Sequence, residues 1–67
     1  GKKPASGAEA LIGEEAGVVE DIGPGKTGKV FMEGEYWNAV SGEEIKKGEK
    51  ARVAGLKGLV LTVTKAR

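Results

Sequence analysis

Apolar residues in this chain come in short alternating bursts separated by glycine, and no stretch sustains the spacing of an amphipathic helix. The bursts therefore predict strands. The first spans residues 17–22 and is closed by Gly23-Pro24-Gly25, where proline removes a backbone donor and the glycines permit a sharp reversal. The second and third, 28–32 and 35–40, meet at a three-residue polar break centred on Gly34, which predicts a β-hairpin carrying the chain's single Phe, Trp and Tyr. The fourth, 50–54, alternates Ala51 and Val53 with Lys50 and Arg52, and the run 55–58 ends it. The fifth, 59–64, sets Leu59, Leu61 and Val63 on one side and Val60, Thr62 and Thr64 on the other. Between the third and fourth, 43–48 is too short for a stable helix and predicts a turn or a single helical turn with Ile45 dipping into the core.

Five short strands separated by turns predict an all-β fold, a small five-stranded OB-fold-like barrel. Burial begins at Leu11-Ile12, so the barrel domain is expected over 11–67. Residues 1–10, small and polar with Pro4 and Gly7, read as a flexible linker. The alternation places Val30, Met32, Trp37, Ala39, Val53, Leu59, Leu61 and Val63 inside, with Trp37 mostly buried. It sends Phe31, Tyr36 and Asn38 outward around one tight turn. An exposed aromatic pair is a contact-site signal, since aromatics are enriched at interface hot spots, and these three residues are the candidate partner-binding positions.

Composition narrows the chemistry. Among 67 residues there is neither Cys nor His, which removes disulfides and the usual zinc ligand sets and leaves packing to hold the domain together. Net charge is +1, but the distribution is uneven: five acids and no bases lie in 9–21, and seven bases against one acid in 46–67. Charged strand edges of this kind are ordinarily solvated faces. The richness in Lys and Glu, with Asp21 the only aspartate, is compatible with a thermophilic source. No uninterrupted apolar run is long enough to span a bilayer, and no signal-peptide pattern is present. A start at Gly1 without an initiator Met suggests a piece of a longer protein.

No catalytic constellation emerges, and no cofactor is expected. Ser41 with Lys46 or Lys47 is a conceivable nucleophile-base pairing, but a lysine after a turn is ordinary and so small a domain cannot wall off a dry site. Glu14-Glu15 and Glu43-Glu44 are neighbours in sequence only, and adjacent strand residues point to opposite faces, so neither pair makes a metal site. Gly23-Pro24-Gly25-Lys26-Thr27 evokes the end of a phosphate-binding loop, yet it lacks the required earlier glycine and no helix follows to supply amides. Biotin and lipoyl carriers need a lysine at a hairpin tip, and this tip reads Met32-Glu33-Gly34-Glu35. Nucleic-acid binding is the alternative to a protein-interaction role, because OB barrels bind single strands through aromatics on strands two and three. Glu33 and Glu35 beside those aromatics would repel phosphate.

The chain resembles the soluble C-terminal domain of the NfeD family. The residues that carry the resemblance run from Pro4 to Val63: Gly7, Glu9 and Leu11-Ile12-Gly13; Gly17-Val18-Val19 and Pro24; Gly28-Lys29-Val30 with Gly34-Glu35-Tyr36-Trp37-Asn38-Ala39; Ile45 and Gly48; Val53; and Gly58-Leu59-Val60-Leu61-Thr62-Val63. Tyr36 departs from the pattern, since an aliphatic residue often precedes the Trp. The resemblance implies a noncatalytic OB-like interaction module attached through a linker to transmembrane helices, with a stomatin-, prohibitin- or flotillin-type membrane protein as partner. Long members of the family also carry an N-terminal serine protease domain of the ClpP-like type, and none of its motifs occurs here. With Lys2-Lys3 beside a membrane segment, the resemblance places the domain on the cytoplasmic side.

Overall fold

The computed structural model describes residues 8–66, so the linker expected over 1–10 lies for the most part outside the described residues. A short 3-10 turn, Ala8–Leu11, leads into five strands: β1 (Glu15–Glu20), β2 (Gly28–Met32), β3 (Glu35–Val40), β4 (Lys50–Lys57) and β5 (Val60–Lys65). They form a closed barrel in the order β1-β2-β3-β5-β4, with β4 pairing back to β1. All neighbours are antiparallel except β3 and β5, which run parallel. This is the OB-like barrel expected from the strand spacing.

The hairpin β2-β3 has the expected limits, but its connection is two residues and not three. Glu33 and Gly34 both take positive φ, 53° and 77°, the arrangement of a type I′ turn, and its twist matches that of the flanking strands. Met32 and Glu35 close the turn, followed by Phe31 opposite Tyr36, Val30 opposite Trp37 and Lys29 opposite Asn38.

Three strands differ in their limits from the sequence expectation, each for a local reason. β1 begins two residues earlier, where Glu15 and Ala16 pair with Arg52 and Ala51 of β4, and stops at Glu20, after a bulge at Val19 shifts its register on β2. Ile22 then leaves the strand to form an isolated bridge with Ile45, each N–H donating to the other's carbonyl at 2.9 and 2.8 Å. β4 runs through Gly55 to Lys57, because a bulge at Ala54 absorbs one residue and returns Leu56 to the inner side, opposite Leu61. Leu59 is not a strand residue at all: Gly58, at a φ of 63°, and Leu59 form the two-residue connection between β4 and β5.

The core consists of Leu11, Ala16, Val18, Ile22, Val30, Met32, Ala39, Ile45, Ala51, Val53, Leu61 and Val63. Ile45 reaches it as expected, from a turn with no helix. Leu59 does not, being 80% exposed. Trp37 packs against the core and is mostly buried, as expected, though not fully covered. The physical reason is strand length: β5 starts at Val60, opposite Asn38, so no strand covers Trp37 on that side of β3.

Candidate functional site

The hairpin positions the candidate residues. With a two-residue turn fixing register, Val30 and Ala39 fall on the inner face and Lys29, Phe31, Tyr36 and Asn38 on the outer one. Phe31 and Tyr36 face each other across the two strands, ring centroids 4.9 Å apart and planes inclined by 58°, while remaining 43% and 66% exposed. One step further from the turn, Lys29 Nζ donates to Asn38 Oδ1 at 3.3 Å. The three residues singled out from the sequence, Phe31, Tyr36 and Asn38, thus share one exposed face, and Lys29 joins them.

Beside this face lies an open depression of about 430 Å³ lined by Lys29, Glu35, Tyr36, Trp37, Asn38 and Leu59. One of the lining side chains carries an unusual group. Trp37 Nε1 is removed from solvent and has no hydrogen-bond partner, an unsatisfied donor of the kind that is rare in native interiors. Leu59, which the alternation places in the core, stands on its lip. The signal that could have placed it outside is Gly58: glycine at the first position of a two-residue connection specifies a turn, and the residue after it turns away from the strand.

Charge around the hairpin is mixed. Glu33, Glu35 and Lys29 surround the aromatics, and across the turn the Glu14 carboxyl is held above its usual range. The causes are a hydrogen bond with Glu33, then the like charge of Glu33, then slight desolvation. A second depression, about 460 Å³, is lined by Val19, Glu20, Asp21, Lys26, Thr27 and Lys47. There Asp21 Oδ1 accepts the Lys47 N–H at 2.8 Å, and Asp21 Oδ2 lies 3.9 Å from Lys46 Nζ, so its carboxylate already serves to tie down the loop before β4. Among the described residues, no cluster of acidic side chains could hold a metal ion, and no helix is long and apolar enough to cross a membrane.

Residues 8–65 match the family described as the NfeD-like C-terminal, partner-binding domain. The chain is 41% identical over 68 residues to the membrane-bound protease PH1510 of Pyrococcus horikoshii, covering 98% of this chain and 15% of that protein. It is 34% identical over 65 residues to the uncharacterized protein MJ0826 of Methanocaldococcus jannaschii, covering 97% of this chain and 47% of that one. It therefore spans less than half the length of either. Among solved structures, the C-terminal domain of stomatin operon partner protein 1510-C from Pyrococcus horikoshii superposes with a TM-score of 0.77 at 39% identity, over 88% of this chain and 92% of that one. The soluble domain of a membrane protein implicated in regulation of membrane protease activity, from Corynebacterium glutamicum, superposes with a TM-score of 0.78 at 32% identity, over 87% and 97%.

Proposed function

The chain belongs to the NfeD family of C-terminal, partner-binding domains, and from that premise we propose that it is a noncatalytic docking module whose β2-β3 face, centred on Phe31, Tyr36 and Asn38, fastens a membrane-anchored protein to a stomatin-, prohibitin- or flotillin-type membrane protein. The observation that carries this reading is the exposed aromatic pair. Phe31 and Tyr36 pack against each other across a tight hairpin, so presenting them to a partner costs less ordering than two unpaired side chains would. The name of the Pyrococcus horikoshii stomatin operon partner supports the partner class, and the names of the relatives support anchoring of the longer protein to a membrane. In this reading the barrel lies on the cytoplasmic side. Nucleic acid is a poorer occupant, because Glu33 and Glu35 are exposed beside the aromatics and repel phosphate.

The test is capture of a purified stomatin-type membrane protein, held in nanodiscs, by the wild-type domain and by the double variant Phe31→Ser with Tyr36→Ser. Circular dichroism checks that the variant is folded. A folded variant that binds at least about tenfold more weakly is the expected result, in keeping with a hot spot worth about 2 kcal/mol. Unchanged capture by a folded variant overturns the assignment of this face.

A further inference from the structure

The seam between β3 and β5 is shorter than β3 itself. β3 begins at Glu35, but β5 pairs with it only through Asn38, Ala39 and Val40. Which backbone groups this leaves open follows from the hairpin. A two-residue turn makes Met32 and Glu35 a hydrogen-bonded pair, and the antiparallel ladder alternates. Glu35 and Trp37 therefore turn their N–H and C=O towards β2, and Tyr36 turns its own the other way, to where β5 has not begun. Among the described residues no backbone group meets Tyr36 there. An open ladder position is a template for an added strand.

The surroundings of that position specify what would fit. Inward of it lie the unsatisfied Trp37 Nε1 and the exposed side chain of Leu59. Outward lies Lys29, whose ammonium is held by Asn38 Oδ1 and has no carboxylate partner among the described residues. Successive side chains of a strand point to opposite faces, so one added strand would reach both. We propose that this notch receives a short extended peptide from the protein partner, with its backbone pairing to Tyr36, an apolar side chain over Trp37 and Leu59, and an adjacent acidic side chain at Lys29. A turn of the indole that uncovers Trp37 Nε1 lets a carbonyl of the same segment accept from it. A second copy of this chain fits less well: two such edges paired with each other would overlap by three residues, far below the roughly 1,000 Å² of a specific interface. The inference rests on the partner-binding reading and gives it a mode of contact.

The probe is the pentapeptide Ac-Thr-Leu-Asp-Leu-Thr-NH2, titrated to about 5 mM into the isotopically labelled chain and followed by NMR, a range suited to millimolar binding. The Tyr36 amide, the Trp37 indole N–H and the Leu59 methyls are expected to shift together. A version with every backbone nitrogen methylated is expected to leave all three in place. Replacing its Asp by Lys, or making Trp37→Phe in the protein, is expected to weaken binding about fivefold, the effect of losing one hydrogen bond or charge contact. No shift at these positions, or equal binding of the methylated peptide, overturns the proposal. So does a shift of Tyr36 and Trp37 that follows protein concentration without peptide, which would mark self-association. Capture of the stomatin-type protein, measured alongside, separates the two readings. Persistent capture with no peptide response removes only the added strand, and loss of both removes the docking role as well.

Discussion

Gly28 lies so close to Asp21 that a Cβ placed on it would stand 2.3 Å from the Asp21 carbonyl oxygen, and 2.5 Å from that of Glu20. The crowding is caused by the bulge at Val19, which turns the end of β1 across the start of β2 just before Ile22 enters the core. Both near atoms belong to backbone, so no side-chain rotation can relieve an added methyl. Gly28→Ala is expected to lower stability by about 1–3 kcal/mol, the usual cost of overpacking, and urea denaturation checks it. A midpoint equal to that of the parent would mean that β1 and β2 separate more easily than their geometry implies.

Glu33 is the one described non-glycine residue at positive φ, in the first position of a type I′ turn that favours Asn, Asp or Gly. Its side-chain contact is with the like-charged Glu14, which does not offset the backbone strain. Glu33→Asn is expected to raise stability by about 1 kcal/mol through the turn alone. Removing the Glu33 charge also relieves Glu14, so the variant is best compared with its counterpart in a Glu14→Gln background. A gain that vanishes in that background would assign the whole effect to charge and none to the turn.

How much of this was legible in the sequence depends on what each feature required. The β2-β3 hairpin could be read because its signals are local: alternation on both sides of Gly34 fixes the register and sends Phe31, Tyr36 and Asn38 outward. β1 and β4 were misplaced by two or three residues because their bulges at Val19 and Ala54 break the period-two rule, and a bulge has no signature beyond a nearby glycine. Leu59, and the incomplete cover of Trp37, were missed for a different reason. Whether Trp37 is covered depends on where β5 starts relative to β3, a long-range parallel register that neither strand encodes by itself. The depression beside Trp37, and the open edge at Tyr36, arise from that same mismatch and so were invisible to a reading of the chain one element at a time.

The Glu14-Glu33 contact makes a definite prediction about pH. The folded state holds the Glu14 carboxyl above its ordinary value of 4.5, chiefly by the hydrogen bond and like charge of Glu33. A folded-state pKa that is raised means that the native form binds the proton more tightly than the unfolded form, so stability falls as pH rises through this window. The penalty is complete above the folded pKa and disappears as pH drops towards the unfolded value. Glu14→Gln removes it at every pH. The variant is therefore expected to melt above the parent at neutral pH, and the gap should close on acidification towards 4.5. A gap that stays constant with pH would show that the two carboxyl groups do not interact.

Trp37 joins stability to binding, and two substitutions separate its contributions. Its ring packs on the core while one flank stays open, so Trp37→Ala is expected to cost about 2–3 kcal/mol, below the range for a fully buried aromatic. Trp37→Phe keeps most of that packing and deletes Nε1, a donor that has lost water without gaining a partner. Removing an unsatisfied buried donor returns its desolvation cost, which offsets the smaller ring, and the Phe variant is expected to stay within about 1 kcal/mol of the parent in urea titration. If Trp37→Phe instead destabilised the barrel as much as Trp37→Ala, Nε1 would have to be engaged within the fold, and no free donor would remain for an incoming strand.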